Sequence, residues 1–271
     1  MIVVTGATGN VGRPLVRALV EAGEQVTTVS RGASARPGVR HVRADLTRPE
    51  SLTPALEGAT ALFLLASGDF TANNGAALGA VLELARDVER VVLLSSQGVG
   101  TGRHAPDLEE AVTRSDLEWT VLRPGGFASN SYAWAGTIRE QRSAAAPFAD
   151  VALPVIDPDD IAGVAAAALR EAGHGGQTYV LTGPEAITPR QQVAAIGDAV
   201  GEPVRFVELS RAEARAGMTA FMPEVIADAT LDILGTPTAD EQRVSPDVER
   251  VLGRPAGSFA DWAARNAAAF K

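Results

Sequence analysis

Val3-Val4-Thr5-Gly6-Ala7-Thr8-Gly9-Asn10-Val11-Gly12 is the stretch on which the reading of this chain turns. Before it, Met1–Thr5 is an apolar, β-branched run that reads as a buried strand. After it, Val11–Ala22 places apolar residues at Val11, Leu15, Leu19 and Val20, the spacing of one helix face. A strand therefore enters a glycine turn, and the turn enters a helix. Gly6 lets the chain turn sharply, Gly9 removes a Cβ so that the backbone can approach a pyrophosphate, and Gly12 lets the helix pack close to the sheet. The helix N-terminus offers N–H groups and the positive end of its dipole to the phosphates. Pro14 costs little in the first turn, where its missing N–H had no partner. Thr8, Asn10 and Val11 join the three glycines as candidate cofactor-binding residues. The competing reading is a ligand-free βα turn, but three glycines at this spacing between a strand and a helix are hard to justify by packing alone.

Outward from the turn, short apolar runs alternate with longer alanine- and leucine-rich stretches. Strands are expected at Gln25–Ser30, His41–Ala44, Ala61–Ala66, Val91–Ser95 and Trp119–Leu122, with helices at Glu50–Leu56, Ala76–Asp87 and Leu108–Ser115. Strands apolar throughout and joined by helices indicate a parallel sheet covered on both faces, an α/β doubly wound sheet of Rossmann type. Later the pattern loosens. It predicts a helix over Phe127–Arg142, strands at Val151–Ile156, Gln177–Leu181 and Val204–Val207, helices at Asp159–Ala172 and Pro189–Val200, and an amphipathic end at Phe259–Phe270. We expect one compact unit: a dinucleotide-binding core over 1–150, and a C-terminal part over 151–271 that completes the sheet and adds a smaller substrate lobe.

Composition narrows the function. A chain of 271 residues buries a sizeable core unaided. It has no cysteine, which excludes disulfides, thiolate metal sites and a cysteine nucleophile. The net charge of −9 argues against nucleic acid as partner, which needs a basic surface. No apolar run reaches membrane-span length, and the N-terminus reads as a strand without a signal peptide's basic region. Cytoplasmic location is the expectation, and homodimerisation is left open. Lysine occurs only at Lys271, amid abundant alanine and arginine, a bias that suits a GC-rich bacterial genome. No metal site is expected. Asp157, Asp159 and Asp160 have no histidine nearby and read as a helix cap.

The Gly-x-x-Gly-x-x-Gly spacing behind Thr5 resembles the short-chain dehydrogenase superfamily. Further strings narrow the resemblance to its atypical, NmrA-like branch, which includes NADPH-dependent quinone reductases. They are Ala44-Asp45-Leu46, Val92-Leu93-Leu94-Ser95-Ser96, Glu118-Trp119-Thr120-Val121-Leu122-Arg123-Pro124-Gly125-Gly126-Phe127 with Asn130, and Pro154-Val155-Ile156-Asp157-Pro158-Asp159-Asp160-Ile161-Ala162. The resemblance spans most of the chain. It implies cofactor contacts at Asp45, beside the adenine, and at Leu46, Ala66, Ser67, Ser95 and Gly125.

The end of the second strand discriminates between dinucleotides. An acid there would bind the ribose 2′-OH of NAD, whereas arginine suits a 2′-phosphate. This chain has Ser30-Arg31-Gly32, so the expected cofactor is NADP(H), with Arg31 on the phosphate and Arg13 and Arg36 as further charges. A solvated loop arginine is the bland alternative for Arg31.

Typical members of the superfamily use a Tyr-x-x-x-Lys pair. Here the tyrosines are Tyr132 and Tyr179, position 136 is glycine, and the sole lysine is terminal. The usual acid–base pair is therefore absent. The natural surviving reaction is hydride transfer to a quinone or polycyclic aromatic ketone, whose oxyanion is stabilised. Solvent or His104 is the expected proton source, and a surface-loop histidine is the bland alternative for His104. Phe127, Asn130 and Trp134, with Tyr132, are candidate walls for an aromatic substrate, against a helix face packed on the core. A dinucleotide-sensing regulator without turnover is the alternative function, and a reductase of an activated double bond, or an isomerase, a third.

Overall fold

The computed structural model describes residues 1–32, 38–65 and 75–271, with side chains from 77 in the last segment. Strands β1 (Ile2–Thr5), β2 (Val26–Ser30), β3 (Arg40–Arg43), β4 (Ala61–Leu65), β5 (Arg90–Leu94), β6 (Glu118–Pro124) and β8 (Gln177–Leu181) form one sheet in the order β3-β2-β1-β4-β5-β6-β8. Every neighbouring pair is parallel, with Val3 opposite both Thr27 and Leu62, and Val91 opposite both Leu62 and Trp119. The central strands are buried on both faces because both faces carry helices, as their uninterrupted apolar sequence requires.

On one face lie α1 (Gly12–Glu21) and α7 (Pro158–Arg170), packed on Val4, Phe63, Val92 and Leu122. α1 buries Gly12, Leu15, Val16 and Leu19, and the run Ala165–Ala168 in α7 keeps side chains short where the two helices meet. The other face holds the 3₁₀ turn Pro49–Leu52 with α2 (Thr53–Leu56), α3 (Gly75–Leu84) and α5 (Asp107–Thr113), packed on Val3, Leu62, Val91 and Val121. Order reverses between β1 and β4, which opens a crevice beyond the carboxyl ends of the strands, the usual ligand position in such sheets.

A second layer is smaller. β7 (Ser143–Pro147) and β9 (Arg205–Leu209) pair in parallel, with Ala144 opposite Phe206. Around them lie α6 (Ala135–Gln141), α8 (Pro189–Val200), α9 (Arg211–Met218), α10 (Glu224–Gly235) and α13 (Phe259–Arg265). Their core gathers Ile138, Ile196, Phe259, Trp262 and Phe270.

Three expectations change. Val151–Ile156 is not a strand: it makes only isolated bridges, Phe127 with Ile156 and Leu153 with Ile187. Pro154 has no N–H to give a ladder and lies within it. The strand in this region is instead Ser143–Pro147, an alanine run with no β-branched signature. The expected helix over Phe127–Arg142 begins as a 3₁₀ turn, Ala128–Trp134, and becomes α-helical only from Ala135. Because β7 and α6 pack in the lobe, the lobe draws on residues from both sides of position 150.

Candidate active site

Gly6 sits at φ 62°, a left-handed conformation that side chains resist. The turn closes on itself through Gly9 N–H to the Gly6 carbonyl (3.0 Å) and Arg13 N–H to the Gly9 carbonyl (3.1 Å). A Cβ on Gly12 would strike the Gly6 carbonyl and lie 2.7 Å from Ala7 Cα, so glycine there is a packing requirement. Gly9 faces outward, where a Cβ would meet only the Gly6 oxygen at 3.3 Å. Thr8 and Asn10 are also exposed, while Val11 is buried in the core and has only its backbone to offer. No side chain caps α1, whereas Asp157 caps α7 and Thr188 caps α8. The first-turn donors of α1 therefore suit an anion brought by a ligand. Thr5 anchors the crevice floor: its hydroxyl donates to the Phe63 carbonyl (3.1 Å) and accepts from Leu65 N–H (2.8 Å).

At the β2 end, Arg31 is exposed directly after the strand. Asp45 holds a turn by accepting from Thr47 N–H (3.0 Å). The Thr47 hydrogen bonds keep its carboxyl below the ordinary carboxylate range, with smaller help from Arg31 and Arg48. Leu46 packs on the core beneath. Arg36, Ala66 and Ser67 lie outside the described residues.

At the β5–β6 end, Ser95 follows β5 and donates to Glu109 Oε1 at 2.5 Å. Arg123, in β6, donates to the same carboxylate through Nε (3.0 Å) and Nη2 (2.5 Å). Ser96 caps the short helix α4 (Gln97–Gly100) by accepting from Gly98 N–H. His104 lies over Gly98, where any Cβ would come within 2.6 Å of the ring, and its Nδ1 is 3.2 Å from Ser96 Oγ. Burial pushes the His104 imidazole below its usual pKa, against a smaller opposing pull from Glu241. Gly125 donates to the Leu181 carbonyl (2.9 Å), and a Cβ there would crowd Gln97 Oε1.

A clasp from the C-terminal segment closes this end. Glu241, on α11 (Ala239–Gln242), is 2% exposed. It accepts from Thr101 Oγ1 (2.9 Å), Arg103 Nε (3.2 Å) and Thr238 N–H (2.7 Å). Burial pushes its carboxyl up, but these hydrogen bonds outweigh that and hold it below the ordinary value.

A cleft of about 690 Å³ opens beside the glycine turn. Gly9, Asn10 and Arg13 line one side, with Tyr132, Asp157, Trp262 and Arg265 opposite. Asn10 Nδ2 donates to Ser129 Oγ (3.2 Å), tying the turn to the segment after β6. Tyr132 stacks on Phe270, and its hydroxyl donates to Asn266 Oδ1 (2.5 Å). Asp157 caps α7 and pairs with Arg265, and burial raises its carboxyl. Among the described residues no group of acids and histidines is arranged to hold a metal.

The expected substrate walls scatter. Phe127 packs on the main core, Asn130 is exposed, and the Trp134 indole donates to the Ala145 carbonyl of β7 (3.0 Å). Sequence reasoning missed Glu109, Glu241, Trp262 and Arg265. Glu109 sits in an acidic first turn that reads as a solvated helix start. Glu241 closes the capping box Thr238-Ala239-Asp240-Glu241, a signal for a helix start but not for a contact with Thr101, and Trp262 and Arg265 lie far along the chain with no motif around them.

The family model described as NAD(P)H-binding matches residues 6–172. The (4-alkanoyl-5-oxo-2,5-dihydrofuran-3-yl)methyl phosphate reductase of Streptomyces griseus is 36% identical, covering 100% of this chain and 99% of its own. The NAD(P)H azoreductase of Xenophilus azovorans is 33% identical with the same coverage. The crystal structure of an NADPH-dependent quinone oxidoreductase from Escherichia coli, complexed with NADPH, superposes with a TM-score of 0.81 at 25% identity, covering 98% of this chain and 99% of that one. The outward face of Gly9, the uncapped start of α1 and the parallel sheet behind them fit a bound dinucleotide such as the NADPH in the E. coli structure, and the chain belongs to the NAD(P)H-binding family, among the atypical, NmrA-like short-chain dehydrogenase/reductases.

Proposed function

We infer that this NAD(P)H-dependent oxidoreductase takes its hydride from NADPH and delivers it to a conjugated carbonyl acceptor, a quinone or polycyclic aromatic ketone, with no tyrosine–lysine pair. The pyrophosphate would rest on the turn between Gly6 and Gly12, with the backbone of Thr8, Asn10 and Val11 around it. The 2′-phosphate would lie against Arg31, with Asp45 and Leu46 toward the adenine. The other half of the cofactor must then run the opposite way, over β4 and β5. Strands lie about 4.8 Å apart, so β5 is about 10 Å from β1. The nicotinamide would then be held near Ser95 and Gly125. When bound, the cofactor supplies the hydride.

The observation that carries this reading is the state of the phenols. Tyr132 donates to Asn266, and Tyr179 is buried with its hydroxyl 2.9 Å from His174 Nδ1. The lone lysine ends the chain. No phenol is activated to give a proton, so the fitting acceptors are those whose reduced anion is delocalised. Burial lowers the His104 pKa, which favours the uncharged ring, so His104 or solvent would supply the proton that follows the hydride. The E. coli quinone oxidoreductase and the azoreductase act, by name, on acceptors of this kind.

The S. griseus relative favours a second reading. Its name describes an acyl-substituted unsaturated lactone, in which a carbon–carbon double bond is activated by carbonyls. A hydride delivered to that carbon leaves an enolate, delocalised as a hydroquinone anion is. Single-turnover NADPH oxidation against quinones, acyl butenolides and azo dyes tests both. The quinone reading expects the fastest rates in the quinone series, rising with electron affinity. Faster reduction of the lactones replaces it with the second reading. No oxidation of NADPH by any acceptor would leave the dinucleotide-sensing regulator as the better account.

A further inference from the structure

Ser95 stands at the carboxyl edge of the sheet, but its hydroxyl does not face the crevice as a free donor. A hydroxyl has one proton and two lone pairs. The Ser95 proton goes to Glu109 Oε1 at 2.5 Å. Glu109 is only 7% exposed, and the Arg123 guanidinium closes on both of its oxygens, through Nε to Oε1 (3.0 Å) and Oε2 (3.2 Å) and through Nη2 to Oε2 (2.5 Å). The carboxylate has acceptor sites only, so the direction of the serine bond is fixed. Ser95 turns lone pairs, and no proton, toward whatever lies over β5.

We propose that Glu109 is a positioning residue that fixes Ser95 as a hydrogen-bond acceptor, and that the donor Ser95 receives is the carboxamide N–H of the nicotinamide. The proposal rests on the nicotinamide lying over β5, as inferred above. It assigns the pair a role in holding and orienting the ring, and it removes Ser95 from the candidate proton donors. Arg123 belongs to the same β6–turn segment as Gly125, so its ion pair with Glu109, together with the Ser95–Glu109 hydrogen bond, ties the ends of β5 and β6 to α5.

The test compares binding of two ligands: NADPH and its reduced 3-acetylpyridine analogue, whose acetyl group has a carbonyl but no N–H. Dissociation constants are measured by calorimetry for the wild type, Ser95→Ala and Glu109→Gln, each checked for folding by circular dichroism. Ser95→Ala should weaken NADPH by roughly three- to tenfold, the loss of one hydrogen bond, and leave the analogue within about twofold. In Glu109→Gln the amide oxygen takes the Oε2 place and keeps Arg123 Nη2 and the longer Nε contact, while the amide nitrogen takes the Oε1 place and faces Ser95, at the loss of the shorter Nε bond. Ser95 then accepts from the glutamine and turns its proton to the site. NADPH should weaken and the analogue should tighten, reversing the preference. A role in structure alone moves both ligands together. Equal weakening of both ligands in both variants, or an unchanged preference in Ser95→Ala, overturns the proposal. Because only binding is read, failure of every quinone as an acceptor leaves the outcome interpretable. Ser95→Ala keeps the question answerable if Glu109→Gln does not fold.

Discussion

The two ends of the crevice are built on opposite electrostatic plans. At the β1–β2 end, Gly9 and Asn10 are exposed, α1 starts without a side-chain cap, and Arg13 and Arg31 stand in solvent. At the β5–β6 end the acids and bases nearest the strand ends are already matched: Glu109 with Ser95 and Arg123, and Glu241 with Thr101, Arg103 and the Thr238 backbone. The first end offers exposed cationic side chains and an uncapped helix start, which favour an incoming anion. The second satisfies itself and presents shape and lone pairs. A dinucleotide reductase needs this division, because the phosphates supply binding energy while the ring needs orientation without competing charge.

Replacing Gly9 with valine tests the open end most severely. The new Cβ meets only the Gly6 carbonyl oxygen, yet the side chain would fill the place proposed for the pyrophosphate. NADPH binding should fall below detection in a titration while the melting temperature stays within a few degrees of wild type. Retained affinity would mean that the turn is not the phosphate site. Gly12→Val provides the contrast, because its Cβ strikes backbone and the fold itself should fail.

Arg31→Ala should come next in size. Losing a charge-assisted hydrogen bond of roughly 1.5–3 kcal/mol weakens NADPH about ten- to a hundredfold and leaves NADH nearly unchanged. Equal losses for both cofactors would remove the 2′-phosphate from Arg31.

The self-satisfied end should respond in stability before affinity. Glu241→Ala removes the carboxylate that Arg103 Nε, Thr101 Oγ1 and Thr238 N–H share, at a cost of about 1.5–3 kcal/mol in urea unfolding, although Arg103 keeps the Thr236 carbonyl. Its pH dependence has a definite sign. The folded carboxyl lies below its unfolded value, so the stabilisation is complete above the ordinary carboxylate range and disappears as pH falls through the folded pKa. The alanine variant should lose that portion of the acid sensitivity. An unchanged urea midpoint would show that the clasp adds nothing.

His104 gives a smaller effect. Burial depresses its folded pKa below the ordinary imidazole value, so the unfolded chain takes up the proton first. Stability should decline as pH drops from about 7 through the unfolded value, and His104→Asn should flatten that decline. The smallest effects belong to Tyr132→Phe and Tyr179→Phe, each of which should keep hydride transfer within about threefold, because neither phenol takes part in the proposed step. If Tyr132→Phe eliminated the reaction with NADPH binding intact, the mechanism would need a phenol after all, a requirement that contradicts the absent lysine.

The sequence by itself determined the glycine turn, the parallel sheet and the cofactor class. These are local: a strand, a turn and a helix lie within about twenty residues, and periodicity and backbone freedom leave direct marks on residue type. The absence of a tyrosine–lysine pair was equally legible, since a missing residue needs no fold to be seen. Tertiary structure decided the rest. Only packing shows that Ser143–Pro147 is a strand and Val151–Ile156 is not, because pairing with β9 depends on residues about sixty positions away. Only packing converts Glu109 from one acid in a helix's first turn into a buried acceptor for Ser95 and Arg123. Only packing brings Glu241 back to Thr101 across 140 positions. A charged residue looks the same in sequence whether water or a buried partner satisfies it. The difference lies in which distant side chain the fold sets against it, and no local pattern records that.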